Sequence, residues 1–401
     1  MAPFLSTLMT RESLLSSRSI SDEFKSQWLH PGDVFSVLLI LGGEIIARAL
    51  AQLAGSGLTP VTFSFGWVAY SVTALVSAVG ENKLMPPDPD CKCKVINGRN
   101  GFTRDNSSWI LGRMMRDFDQ WSHPATKEKA QCLLDEKWTE LKRSRPLAKR
   151  PTRAGLIATI YEPSKTQRLG VAQRDFVYWS GIFTMAVQLG IAAIPCGLFD
   201  DWGILLITVC GNILALATGY LPQWKKEKWA CRTQAKGTYI LTRGNGSQHV
   251  IIIVGNGHGL NLEDLAAGQT NIEASTNALT RLTLLVLALL WVLLLITASG
   301  VKDHTWYLLA VGGIGIIQNV FVAGGSRRPE NFGIHLDFVE VLGRTKVMDT
   351  LLEMEKKYSG MGRALLEEFF PRKLHPEDLS KWEAIDQSAA QAREDGMTNT
   401  S

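Results

Sequence analysis

The stretch VFSVLLILGGEIIARALAQLA, from Val34 to Ala54, decides how the rest of the chain is read. At about 1.5 Å per helical residue, a run of about 20 residues covers a hydrocarbon core of about 30 Å. The stretch is therefore long enough to cross a bilayer, with Glu44 near the midplane. A charge at that depth costs roughly 2.5 to 3.5 kcal/mol on insertion scales, which makes an intramembrane carboxylate a candidate functional group whose partner must be named. Arg48 follows four residues later, the favourable order for a helical ion pair. If the two pair, Glu44 is suited to act as a base or to steady a cation. If Arg48 points elsewhere, desolvation makes Glu44 a proton donor. A third reading is structural, two charges that neutralise each other.

Working outward, five further apolar segments have crossing length: Val61 to Val79, Phe176 to Ile194, Trp202 to Leu221, Leu279 to Ser299 and Thr305 to Ala323. The fold class expected is an α-helical integral membrane protein with about six transmembrane helices and a mixed α/β cytosolic part. The turns after the first, third and fifth segments carry no Lys or Arg except Lys302, whereas nineteen lie between Lys83 and Arg174. By the positive-inside rule that imbalance puts both termini in the cytosol. The expected divisions are a cytosolic segment 1–30, helices at 31–80, a basic cytosolic segment 81–175, helices at 176–221, a cytosolic segment 222–280, helices at 281–323 and a cytosolic helical tail 324–401. With only tight turns on the far side, the chain is excluded as a receptor for extracellular ligands. The expected location is the endoplasmic reticulum membrane.

Polar residues precede the first segment and no cleavage pattern follows it, so Val34 onward reads as a signal anchor. Cys91, Cys93, Cys132 and Cys231 fall on the reducing side and Cys196 and Cys210 in the spans, so no disulfide framework is expected. Cys91 and Cys93 have no second Cys or His cluster to complete four metal ligands. The sequons at Asn106 and Asn245 are expected to stay unused.

In the polar part, Asn106 or Ser107 can cap a helix with Ile110, Met114, Phe118 and Trp121 on one face and Arg113, Arg116 and Asp117 on the other. Such a face suits either the headgroup boundary or packing on the membrane domain. A helix from Lys127 to Ser144 and a basic loop from Arg143 to Arg153 follow. The basic run is a positive-inside signal first and an anionic-lipid contact second, and without a reader motif it does not suggest nucleic acid. Thr238 to Thr242 and Gln248 to Val254 flank Arg243-Gly244-Asn245-Gly246-Ser247, a hairpin signal. The glycines of Gly255-Asn256-Gly257-His258-Gly259 resemble a dinucleotide loop, but a third glycine would fall on Leu260, so turn glycines are expected. His249 and His258 read as polar strand and loop residues. In the tail, Leu336, Val339, Leu342, Val347, Leu351 and Met354 suggest a helical stripe from Gly333 to Tyr358. Pro371 should close another helix, Pro376 should open one, and residues beyond about Ser388 read as frayed.

Candidate site residues come from polarity inside the spans. Gln188 and Asn212 lie near mid-depth with Glu44 and are candidates for one shared cavity; Gln318 and Asn319 are further in-span amides, and the alternative for all four is interhelical hydrogen bonding. Gly42, Gly43, Gly312, Gly313 and Gly315 would let helices approach closely. Asp33 and Glu81 mark the cytosolic ends of the first two segments. Trp67, Tyr70 and Trp202 offer ring faces to a cation or anchor the interface. No aspartate-rich DDxxD or NDxxD cluster, haem-cysteine motif, HExxH, G-x-S-x-G or P-loop occurs, so terpenoid chemistry here would begin by protonating an alkene or epoxide. No metal or cofactor is expected.

Several stretches carry a resemblance: His30-Pro31-Gly32-Asp33-Val34-Phe35-Ser36-Val37-Leu38-Leu39, Phe65-Gly66-Trp67-Val68-Ala69-Tyr70, Gln188 through Gly197, Leu221-Pro222-Gln223-Trp224 with Glu227-Lys228-Trp229-Ala230-Cys231-Arg232, and Leu241-Thr242-Arg243-Gly244-Asn245-Gly246. They resemble a group of fungal polytopic membrane proteins of meroterpenoid gene clusters, similar to the membrane terpene cyclase type that closes the ether ring of ascofuranone. The resemblance implies an epoxyfarnesyl phenol as substrate and neighbouring biosynthetic enzymes as partners; no functional residue is carried over from it. The expectation is a membrane terpene cyclase that opens an epoxide by acid catalysis, using Glu44, Arg48, Asp33 or Glu81, with Gln188, Asn212, Trp67 and Tyr70 lining the site of a lipophilic substrate. The competing expectation is a non-catalytic membrane scaffold or small carrier.

Overall fold

The computed structural model describes residues 32–398 apart from 56, 87–90, 169, 269–273 and 373, with side chains described from 42 to 388. The chain divides into two compact units. One takes the chain up to Leu84, Asp175–Trp224 and Thr276–Gly325; the other takes Met85–Arg174, Lys225–Ser275 and everything from Ser326.

The first unit is helical. Its helices are α1 (Gly32–Leu53), α2 (Gly66–Gly80), α3 (Phe176–Phe199), α4 (Gly203–Gly219), α5 (Ala278–Ser299) and α6 (Thr305–Gly324). Asp175 caps α3 by accepting from the Tyr178 N–H, and Asn277 caps α5 by accepting from the Thr280 N–H. The unit buries a set of amides and hydroxyls among its apolar core residues and is apolar on the outside. Gln188, Asn212, Asn319, Thr62 and Ser64 are buried, while Phe176, Phe183, Leu206, Leu293 and Ile317 are exposed. That exposed apolar surface suits a surround of lipid, in which backbone and amide groups can find partners only within the protein.

Three helices, α3, α5 and α6, are long and apolar enough to cross a membrane; a fourth crossing results if α4 and the helix Pro222–Lys228, bent from it by 41°, form one broken span. The described residues therefore supply three such helices, or four, where six were expected. The second apolar segment shows the physical reason. It becomes helical only at Gly66, so α2 has 15 residues. Ahead of it, Pro60 lacks an N–H, and Thr62-Phe63-Ser64-Phe65 alternates hydroxyl and phenyl with the period of a strand. The stretch from Thr59 to Phe65 is neither helix nor strand, and every residue in it is buried.

The second unit is built on a six-stranded sheet in the order β2-β1-β5-β6-β3-β8. Its strands are β1 (Lys94–Asn97), β2 (Thr103–Asp105), β3 (Leu156–Pro163), β5 (Tyr239–Thr242), β6 (His249–Ile253) and β8 (Leu336–Arg344), and a separate pair joins β4 (Thr233–Ala235) to β7 (Gly259–Leu260). The expected hairpin is present, running from Tyr239 opposite Ile253 to Thr242 opposite Val250. Gly244 and Gly246 take φ of +89° and +87°, which a Cβ would strain. The central β3 pairs in parallel with β6 and antiparallel with β8. Its residues alternate between two cores. Leu156, Ala158 and Ile160 face the core shared with the helices Val347–Lys357, Met361–Phe369 and Pro376–Thr398, and Ile157 faces Leu133 of the helix Pro124–Ser144.

Two expectations in this unit are corrected. Of the helical stripe expected from Gly333 to Tyr358, Val347–Lys357 is helix, with Leu351 and Met354 buried, but Leu336–Arg344 is the strand β8: its backbone pairs along β3, and the pairing skips Val339, which is exposed, so the three-residue spacing of Leu336, Val339 and Leu342 gave a helical signal that pairing overrode. The helix expected at Ile110 to Trp121 breaks at Asp117 into Trp109–Arg116 and Phe118–Trp121, and Arg113, expected on the outer face, is buried over the Trp109 ring at 4.3 Å. Ile110, Met114 and Phe118 are buried as well, so this face packs against protein. The tail helix runs to Thr398, past the fraying expected at Ser388.

Candidate functional site

The helical unit closes around the irregular stretch, and what holds it there is a set of amides. An unpaired backbone N–H or C=O buried from water is costly, so each group along Thr62 and Phe63 needs a partner. Asn319 of α6 accepts from the Thr62 N–H at 3.2 Å and donates to the Thr62 carbonyl at 3.0 Å. Gln188 of α3 donates to the Phe63 carbonyl at 2.7 Å and to the Val311 carbonyl at 2.9 Å. Asn212 of α4 accepts from the Phe63 N–H at 3.3 Å. Trp67, in the first turn of α2, returns its indole N–H to the Thr62 carbonyl at 2.8 Å. Three carboxamides thus do for this backbone what a neighbouring strand would do in a sheet.

Glycines make the room. A Cβ on Gly315 would lie 1.8 Å from the Phe63 carbonyl oxygen, one on Gly312 2.1 Å from the Phe65 ring, and one on Gly211 2.4 Å from the Phe63 ring. Gly42 and Gly43 serve close helix approach as expected, meeting Gly66 and Ala69 of α2, whereas Gly312 and Gly315 admit the irregular stretch and Gly313 faces open space.

Aromatic rings fill the rest. Trp291 of α5 stacks on Trp67 at 5.2 Å and on Phe63 at 6.2 Å; Tyr70 meets Trp67 edge-on at 5.6 Å, and Phe65 meets Phe63 at 6.1 Å. Trp67 and Tyr70 are fully buried, which corrects their alternative role as interfacial anchors; Trp202 is exposed.

Three buried polar atoms in this cluster have no partner among the described residues: Gln188 Oε1, Asn212 Nδ2 and Trp291 Nε1. Turning the carboxamides over does not help. A reversed Gln188 would set its oxygen against two carbonyls, and a reversed Asn212 would set its NH₂ against the Phe63 N–H. Each unmet buried group costs roughly 1 to 3 kcal/mol.

Of the expected site residues, the structure brings Gln188, Asn212, Trp67 and Tyr70 together and leaves the charged ones apart. Glu44 points outward from α1 with its side chain 75% exposed and accepts from Arg48 at 2.7 Å. It shares no cavity with Gln188 and Asn212, which face inward. Glu81 is exposed just past the end of α2. The Asp33 side chain lies outside the described residues. Sequence reasoning passed over Thr62, Phe63 and Trp291, and it read Asn319 as an interhelical hydrogen-bonding amide where its partner is the irregular backbone at Thr62; the signal available was Pro60 followed by hydroxyl–phenyl alternation inside a segment of helical length.

In the sheet unit, the loop Gly255 to Gly259 serves packing. A Cβ on Gly255 would lie 2.1 Å from the Gly237 carbonyl, and one on Gly259 2.8 Å from the Pro163 ring. Asn256 donates to the Pro163 carbonyl at 2.7 Å and accepts from the His258 N–H at 3.0 Å. Burial pushes the His249 imidazole below its ordinary value. Among the described residues, no group of three or more His, Cys, Asp or Glu is placed to hold a metal.

Fold and site together define the class: a helical protein whose apolar helices have membrane-crossing length, carrying a mixed α/β sheet unit. No family model, curated protein or solved structure matches the chain.

Proposed function

We propose that this chain is a multi-pass membrane enzyme of terpenoid metabolism, a cyclase that opens a lipophilic terpenoid epoxide and captures the cation with an internal hydroxyl. All six apolar segments enter the bilayer in this reading, the second as a discontinuous crossing made of the irregular stretch and α2. The sheet unit and both termini lie in the cytosol, at the endoplasmic reticulum. In the reaction, a proton adds to the epoxide oxygen and the bond to the more substituted carbon breaks. A hydroxyl of the same molecule then attacks that carbon and loses its proton. The product is an isomer of the substrate, and no co-reactant is consumed.

The observation that carries this reading is the buried array of Phe63, Trp67 and Trp291 with Tyr70 at its edge. Aromatic faces away from water attract a cation by about 2 kcal/mol each. Glu44, exposed and hydrogen-bonded to Arg48, stands apart from this array, which leaves Asp33 or Glu81 as the expected source of the proton. One observation favours the second reading, a non-catalytic scaffold or small carrier: the described carboxylates Glu44 and Glu81 both face outward.

Microsomes containing the protein, fed an epoxyfarnesyl phenol, test the two. A cyclised isomer of unchanged mass is expected, and Trp291→Leu should lower its yield at least about ten-fold. No isomer from several such substrates would assign the scaffold role instead.

A further inference from the structure

The unmet hydrogen-bonding atoms around Phe63 define what the bundle interior would accept. Gln188 and Asn212 both bond to the Phe63 backbone, and Trp291 stacks on its ring at 6.2 Å, so all three residues are neighbours of Phe63. Gln188 is 0% exposed, Trp291 0% and Asn212 6%. Their free atoms are one acceptor, Gln188 Oε1, and two donors, Asn212 Nδ2 and Trp291 Nε1. An ammonium group could not accept from the donors, and a carboxylate could not donate to Gln188 Oε1. A neutral hydroxyl does both, with one O–H to give and two lone pairs to receive. No charged side chain is described among the groups that bond to or stack on Phe63, which also suits a neutral group.

We infer that this cluster binds a neutral hydroxyl, that of an apolar alcohol or phenol entering from the lipid, with a trapped water as the other source of the same chemistry. The inference rests on the reading of the chain as acting on a lipophilic molecule and adds the group it recognises. The irregular stretch makes such a site possible. Non-helical backbone at membrane depth persists where protein encloses it or where it borders a cavity, and discontinuous membrane helices commonly place ligand sites there.

A photoreactive diazirine analogue of farnesol, irradiated with the full-length protein in microsomes, tests this. The expected result is labelling of peptides containing Thr59 to Tyr70 or Trp291, with free farnesol competing about ten-fold better than farnesyl methyl ether, which has no O–H to give. Trp291→Phe keeps a ring and removes the indole N–H; with normal membrane abundance it should weaken farnesol competition. Asn212→Leu is the second variant and should do the same. Equal competition by alcohol and ether, or labelling that ignores both substitutions, overturns the inference. If labelling is absent and a high-resolution map shows an ordered water on Gln188 Oε1 and Asn212 Nδ2, the hydroxyl is solvent and the ligand site is overturned. An absence of both discards the shared chemistry as well. Cyclised product without farnesol labelling removes this site and leaves the cyclase; labelling without product does the reverse.

Discussion

Asn319 shows how much a single side chain does here. Its carboxamide satisfies the N–H and the C=O of Thr62, two groups that would otherwise be buried with no strand or helix to pair them. Asn319→Leu should therefore cost on the order of 2 to 4 kcal/mol, read as a fall in the thermal midpoint of the detergent-solubilised protein. A midpoint unchanged from wild type would mean that the stretch is held by its rings alone. The thiols allow a second check at this scale. Burial, first of all, pushes the Cys93 and Cys231 thiols up to about 12, whereas Cys132 is exposed and its thiol is raised because it donates to Glu136. Because the thiolate is the nucleophile, iodoacetamide at pH 8 should modify Cys132 in the native protein and spare Cys93 and Cys231. Raising the pH should speed labelling of Cys132, and so should Glu136→Gln, which removes the charge that opposes the thiolate. Peptide mass mapping reads each site.

Among elements, the glycines of α6 separate a helix that merely packs from one shaped around a non-helical neighbour. Gly312 and Gly315 have the Phe65 ring and the Phe63 carbonyl where a Cβ would stand, while the adjacent Gly313 has nothing within 4 Å. Gly315→Ala should lower stability by about 1 to 3 kcal/mol or abolish accumulation in the membrane. Gly313→Ala should be neutral or slightly stabilising, since Ala favours a helix over Gly by about 1 kcal/mol. Equal behaviour of the two variants in thermal unfolding would contradict the placement of Phe63. Sequence patterns served some elements and failed others for a definable reason. The hairpin was readable because Arg243-Gly244-Asn245-Gly246-Ser247 forces a turn between two apolar runs. The strand β8 was not, since Leu336, Val339 and Leu342 recur at a helical spacing and only pairing along β3, with Val339 skipped, makes the segment a strand. The irregular stretch was masked by hydropathy, which measures how apolar a segment is and carries no information about its backbone.

For the whole molecule, the proposed orientation puts the sheet unit in the cytosol and only short turns in the lumen. Sealed microsomes treated with protease should lose an epitope placed at either terminus, and one inserted at Asp200 or Asp303 should survive until detergent is added. Survival of a terminal epitope in sealed vesicles would reverse the orientation.

What the sequence by itself determined is polarity at long range: which segments are apolar enough to leave water, where basic residues collect, and that Gln188 and Asn212 are amides placed among apolar neighbours. Those properties follow from composition along the chain and need no partner. Only the tertiary structure decided that Glu44 faces outward, that the second apolar segment enters the bundle without helical backbone, and that Gln188, Asn212, Asn319 and Trp291 meet at Thr62 and Phe63. The reason is physical. A backbone group in an apolar interior must be satisfied by whatever side chain reaches it, and here those side chains lie more than 120 residues away in the chain.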